Sequence, residues 1–153
     1  MENFKFKKNL GQNFLQDEKV LQRIVDSIEC SKDDCIIEIG PGHGALTKHL
    51  VKYNCPVIAF EIDKEVKPVL DKINADNLRV IYEDFMKVNV KEYLPDNYKN
   101  LYIIANIPYY ITTPILEKII AENLDEKSCT LMVQKEVADR FSAKCGSKEY
   151  GSV

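Results

Sequence analysis

Apolar and polar positions repeat with two periods along this chain, and the switches between them mark out its elements. Val20, Leu21, Ile24, Val25 and Ile28 recur at the spacing of one helical face, which predicts a helix near 17–29. Cys35-Ile36-Ile37-Glu38-Ile39 reads as a short buried strand ending in glycines. A helix is expected over about 44–52, then a second strand, Pro56-Val57-Ile58-Ala59-Phe60-Glu61. Asp63 is suited to cap the next helix, with Pro68 in its first turn or delaying its start. Leu78-Arg79-Val80-Ile81-Tyr82 predicts a third strand and 101–105 a fourth. Thr113 followed by Pro114 predicts a helix start, with Ile115, Leu116, Ile119 and Ile120 on one face. Cys129-Thr130-Leu131-Met132-Val133 gives a fifth strand, and a last helix is expected over about 135–144. Continuous apolar strands alternating with amphipathic helices predict an α/β chain, with a parallel sheet covered on both faces.

Composition narrows the class. A length of 153 residues predicts one domain, and 45% hydrophobic with 29% charged residues is ordinary for a globular chain with a core. No apolar run approaches the roughly 20 residues that span a bilayer. Lys5, Lys7 and Lys8 precede no apolar stretch, so the N-terminus does not read as a secretory signal. Five cysteines (Cys30, Cys35, Cys55, Cys129 and Cys145) form an odd set without Cys-x-x-Cys spacing, which predicts free thiols and a reducing, cytoplasmic setting. His43 and His49 lack ligand spacing, so no structural metal is expected. A net charge of −3 disfavours a surface coated by nucleic acid, although Lys5-Phe6-Lys7-Lys8 offers a local basic arm for phosphates.

Two motifs carry chemistry. Asn106-Ile107-Pro108-Tyr109 follows the fourth strand. An amide side chain and the Ile107 carbonyl can accept hydrogen bonds from an exocyclic amine, while Tyr109 can stack on a flat base. The same residues also suit a plain proline turn. Glu38-Ile39-Gly40-Pro41-Gly42-His43-Gly44 joins the first strand to its helix, where glycines let backbone approach a ligand. Gly40, Gly42 and Ala45 satisfy the dinucleotide fingerprint, and Glu61, 21 residues after Gly40, is spaced to bind ribose hydroxyls. That local pattern supports NAD and S-adenosylmethionine almost equally. Glu38 shifts the balance toward the latter, because an acid before the glycines repels a pyrophosphate but helps hold a methionine ammonium. Asp84, after the third strand, is suited to accept from an adenine amine.

Together these segments resemble the ribosomal RNA adenine N6-dimethyltransferase family, in particular its housekeeping branch associated with kasugamycin sensitivity. The resemblance begins at Asn9-Leu10-Gly11-Gln12-Asn13-Phe14-Leu15 and runs through both motifs and Tyr110-Ile111-Thr112-Thr113-Pro114. It closes with Met132-Val133-Gln134-Lys135-Glu136-Val137-Ala138-Asp139-Arg140. It implies a Rossmann-like methyltransferase fold using S-adenosyl-L-methionine and no metal. Asn13, Leu15, Gly40, Gly42, Glu61, Asp84 and Asn106 would contact the cofactor, and Asn106, Pro108 and Tyr109 would serve the chemistry. The implied reaction dimethylates N6 of two adjacent adenosines near the 3′ end of small-subunit rRNA, within an assembling ribosomal particle. The alternatives are a large-subunit rRNA methyltransferase of the antibiotic-resistance type and an NAD-dependent oxidoreductase.

Family members continue further, with two more strands and a small helical domain. Residues 1–153 are therefore expected to be a cofactor-binding catalytic domain, incomplete at its C-terminus and without the helical domain. The fifth strand would then present an open edge, and the fragment is expected to self-associate or to be marginally stable, and to lack RNA methyltransferase activity alone.

Overall fold

The computed structural model describes residues 18–106 and 112–132. In chain order it contains α1 (Glu18–Asp26), β1 (Cys35–Ile39), α2 (Thr47–Leu50), β2 (Val57–Phe60), α3 (Lys67–Leu70), β3 (Leu78–Ile81), β4 (Leu101–Asn106), α4 (Thr112–Glu122) and β5 (Ser128–Met132). Single 3-10 turns lie at Val51–Tyr53, Lys64–Val66 and Val90–Tyr93. The strands pair in the order β3-β2-β1-β4-β5, and every pairing is parallel.

Strand alternation splits the core in two, as a doubly covered sheet requires. Cys35, Ile37 and Ile39 of β1 join Leu101, Ile103 and Ala105 of β4 on one face, beneath Ile115 and Ile119 of α4. Ile36, Tyr102 and Ile104 point the other way and meet Leu21 and Ile24 of α1 with Leu46 and Leu50 around α2. Two tyrosines fasten α1 and the segment after it to this second face. Tyr53 donates to the Val25 carbonyl at 2.6 Å and Tyr102 to that of Glu29 at 2.9 Å.

The predicted strands are all present, with ends shifted by a residue or so. The helices differ more, each for a local reason. The first ends at Asp26, where the Ser27 hydroxyl donates back to the Ile24 carbonyl at 2.6 Å and competes with the next turn. Ile28 is buried all the same. The second cannot begin at 44, because Gly44 has φ 83°, and it tightens into a 3-10 turn that ends on left-handed Asn54. Asp63 caps as expected, accepting from the Glu65 N–H at 2.9 Å, and Pro68 lies in the first turn of α3. α4 starts at Thr112, one residue before the expected cap. Its apolar face is narrower than the periodicity suggested, for Ile115 and Ile119 are buried but Ile120 is 75% exposed. Val133 and the helix expected over 135–144 lie outside the described residues. None of the described helices is long and apolar enough to cross a membrane.

The thiols are free at Cys30, Cys35, Cys55 and Cys129. Cys30 and Cys55 approach to 3.3 Å between sulfurs, and burial pushes the Cys35 thiol up to about 12.

At the amino ends of the strands, buried Asp34 ties the turn before β1 to the residue before β4. Its Oδ2 accepts from the Ser31 N–H at 2.7 Å and hydroxyl at 3.2 Å, and its Oδ1 from the backbone and side chain of Asn100 at 3.0 and 3.1 Å. Burial alone would raise this carboxyl, but those donors outweigh it and hold the group below its ordinary value. Replacing Asp34 by Ala strands four donors, so we expect a loss on the order of 2–4 kcal/mol in denaturant unfolding at neutral pH. Because the folded carboxyl is depressed, its contribution is present above the unfolded value and disappears as pH falls through the folded one. An unchanged midpoint for Asp34→Ala at pH 7 would show that the clasp contributes nothing.

Candidate cofactor site at the carboxyl edge of the sheet

The pairing register determines which residues meet where the strands end. Ile81, Phe60, Ile39 and Ala105 stand in one line across β3, β2, β1 and β4. One residue further along each strand lie Tyr82, Glu61, Gly40 and Asn106. Parallel sheets bind ligands outside this edge, so the register alone gathers two predicted cofactor residues and the start of the Asn-Ile-Pro-Tyr motif.

The glycine loop is shaped by backbone that other residues adopt poorly. Gly40 has φ 76° and its N–H still reaches the Phe60 carbonyl at 2.9 Å, so the turn begins without breaking the sheet. At Gly42, with φ 57°, a Cβ would meet nothing within 4 Å. Open space on the side-chain flank of this residue is what a ligand approaching the backbone requires.

Three acids stand near successive strand ends. Glu38, in β1, is 1% exposed. Its Oε2 accepts from the Thr47 hydroxyl at 2.6 Å, while its buried Oε1 has no partner among the described residues. Glu61, 4% exposed, lies against the glycine loop, its Oε2 facing the Gly42 N–H at 3.4 Å and its Oε1 the Asp63 N–H at 3.4 Å. Asp84 lies past β3, and its Oδ1 accepts from the Met86 N–H at 3.0 Å, a local turn that orients the carboxylate. Glu38 was not among the principal cofactor residues expected from the resemblance, although its place before the glycines was the sequence signal. Asn106 ends β4, its backbone opposite Met132 of β5. Asn13, Leu15, Pro108 and Tyr109 lie outside the described residues, as does Ile107.

These groups fit a ligand with a cationic amine and a ribosyl base. The orphaned buried oxygen of Glu38 suits an ammonium, and the open flank at Gly42 suits close backbone approach. A pyrophosphate fits less well beside buried Glu38 and Glu61. Among the described residues no three or more His, Cys, Asp or Glu side chains cluster in a way that could hold a metal ion.

Comparison with known proteins agrees with this geometry. The family model for ribosomal RNA adenine dimethylase matches residues 3–153. Curated relatives named ribosomal RNA small subunit methyltransferase A are 49% identical in Listeria innocua and 47% identical in Clostridium botulinum strain Okra. Each match covers 98% of this chain but 53% and 55% of the relative, so the chain spans about half their length. The crystal structure of a dimethyladenosine transferase from Plasmodium falciparum superimposes with a TM-score of 0.70 at 31% identity, over 86% of this chain and 47% of that one. That of the 23S rRNA methyltransferase ErmE gives 0.67 at 27%, over 81% and 49%. The sheet is that of the Rossmann-like methyltransferase fold.

Glu38 gives the site a pH signature. Burial pushes its carboxyl up to about 7, against the downward pull of the Thr47 bond and with a further upward push from Glu61. The folded chain therefore holds a proton that the unfolded chain releases between pH 4.5 and about 7. Stability from this group is full below that window and is lost as pH rises through it, by about 3 kcal/mol for a shift of this size. In Glu38→Gln that slope disappears, so the variant should gain on the wild type as pH goes from 4.5 to 8 in denaturant unfolding. Parallel curves for the two proteins would contradict the buried proton.

Proposed function

We propose that this chain, which belongs to the ribosomal RNA adenine dimethylase family, is the cofactor-binding part of an rRNA (adenine-N6,N6)-dimethyltransferase. The whole protein would place two methyl groups on each of two adjacent adenosines near the 3′ end of small-subunit rRNA, in an assembling ribosomal particle in the cytoplasm. The observation that carries the reading is the line Glu61, Gly40 and Asn106 across the carboxyl edge, with buried Glu38 behind the glycines. The small-subunit target is favoured over a large-subunit one because the curated relatives at 47–49% identity bear the small-subunit name.

S-adenosylmethionine, when bound, supplies an electrophilic methyl group on a sulfonium. Glu38 would hold its ammonium, Gly40 and Gly42 would admit its amino-acid portion, and Glu61 would accept from the ribose hydroxyls. Asp84 would accept from the adenine amine, with Asn13 and Leu15 folding over from the N-terminal segment. The target N6 lone pair is delocalised into its ring, so the amine is a poor nucleophile. Accepting both its N–H bonds, through the Asn106 side chain and the Ile107 carbonyl, favours a pyramidal nitrogen and localises the pair. Pro108 would stiffen that turn and Tyr109 would stack on the extruded base. The departing proton becomes acidic as charge develops, so no strong general base is required.

The deciding experiment is mass spectrometry of small-subunit rRNA from cells with and without the full gene. Loss of both dimethyladenosines on deletion is expected, and their persistence would overturn the assignment. In the full-length enzyme, Asn106→Ala should lower methyl transfer by about 10²–10³ while weakening cofactor binding far less, since its bond is made mostly in the transition state. Near-normal turnover at saturating cofactor would remove Asn106 from the chemistry. Glu61→Ala should weaken S-adenosylmethionine binding by roughly 1–3 kcal/mol, as expected for charge-assisted bonds to hydroxyls. Calorimetry with unchanged affinity would place Glu61 elsewhere.

A further inference from the structure

We infer that Lys118, on α4, is a positioning residue that fixes the segment carrying Asp84 and so sets selectivity for the amino group of the cofactor's adenine. The inference rests on the role proposed for Asp84. Lys118 lies outside the line of residues at the sheet edge, and its side chain is only 14% exposed. Its ammonium donates to the Val88 carbonyl at 2.7 Å and to Glu122 Oε1 at 2.9 Å, and lies 5.7 Å from the centre of the Phe85 ring. A helical lysine four residues from a glutamate is commonplace. A bond that spans thirty residues to a loop carbonyl is different, because it ties two elements together.

The tied loop is the one that matters for the base. Phe85 immediately follows Asp84 and is 5% exposed, with its ring edge-on to Phe60 at 5.4 Å. Phe60 in turn immediately precedes Glu61. The two acids expected to hold the cofactor's adenosine are thus carried by neighbours that pack on each other, and Lys118 closes the outer side of that packing. Within the loop, Asp84 Oδ1 is engaged by the Met86 N–H and its carbonyl by the Lys87 N–H at 2.9 Å. Among the described residues Oδ2 accepts no bond, which leaves it for a ligand amine. Its aim depends on the 84–88 segment, which is held at one end by β3 and at the other by the lysine. Removing the ammonium while keeping the apolar stem should loosen the outer end and misdirect Oδ2, without touching Glu61 or the glycine loop.

The test uses the full-length protein and two ligands that differ at the purine 6-substituent and the N1 proton that goes with it, S-adenosylhomocysteine (6-amino) and S-inosylhomocysteine (6-oxo, N1–H). Calorimetry on the wild type should show a preference for the amino ligand of about 10-fold or more, the value of a hydrogen bond to a charged acceptor. Lys118→Met should reduce that preference to within about 3-fold by weakening the amino ligand alone, and combining it with Asp84→Ala should add nothing further. Glu122→Gln, which leaves the Val88 bond in place, should preserve the preference. A lysine that merely supports the fold would weaken both ligands equally, and that result overturns the inference, as does a preference that survives in Lys118→Met. If the wild type itself shows no preference, the role of Asp84 fails and this inference with it, whereas failure of both ligands to bind refutes the proposed cofactor. Should Lys118→Met not fold, Lys118→Gln, too short to reach Val88, carries the same comparison.

Discussion

Parallel pairing in a single register is the constraint on which the rest of this molecule depends. Parallel strands all end at the same edge, so residues far apart in sequence arrive side by side without any contact having to specify it. Ile81, Phe60, Ile39 and Ala105 share one line, and a slip of one residue in any strand would turn its side chains to the opposite face. Two different cores prevent that slip. Ile37 and Ile103 belong beneath α4, whereas Ile36 and Ile104 belong beneath α1 and α2. The site is thereby aligned by packing on both faces, and Asp34 pins the opposite end of the same sheet.

Given that alignment, the cofactor edge stores a cost that the remainder of the fold carries. A carboxyl with one oxygen unpartnered inside protein is destabilising unless it is protonated or meets a cation. In the unliganded chain Glu38 relieves part of the cost by holding a proton, which is the physical meaning of its raised value. The ammonium of the proposed cofactor would relieve it differently, by converting the same group to a paired carboxylate. Glu61 strengthens both effects, since its charge opposes a second nearby charge and favours a cation between them. A strand position that would be best filled by an aliphatic residue for stability is thus kept acidic, as expected where binding and folding compete.

The sheet was legible in the sequence because apolar runs of strand length, bounded by turn residues, have few other solutions. β1 was placed to the residue and the others within one or two. The helices were less legible, since their ends are set by individual side chains and backbone angles rather than by periodicity. The Ser27 hydroxyl stops α1, positive φ at Gly44 delays α2, and Pro68 with the Asp63 cap splits the next helix into a 3-10 turn and a short α-helix. Ile120 satisfied the helical spacing but not the burial, for spacing defines a stripe and only the partner element defines its width. At the site, Gly40, Gly42, Glu61 and Asp84 were marked by motif and spacing. Thr47 and Lys118 were not, because each acts through a contact with a distant segment that no local pattern encodes.

That division between local motifs and non-local support shapes how the site is built. The residues proposed to touch the cofactor sit on loops immediately beyond the strands, and each loop needs its own restraint. The glycine loop is restrained by the Gly40 bond to β2 and by Gly44, where a Cβ would come within 2.5 Å of Ile73. The positive φ of 83° favours glycine there, and any side chain would have to displace the end of Ile73. The loop after β3 contains no glycine and meets the sheet through Phe85 and Phe60, an edge-to-face pair further flanked by Tyr93 at 5.5 Å from Phe60. Aromatic packing of this kind holds the loop through a preferred edge-to-face geometry. A directional bond from the Lys118 ammonium to the Val88 main-chain carbonyl adds a further restraint, and it comes from α4, which begins at Thr112. Lys118 thus links α4 to the loop that carries Asp84.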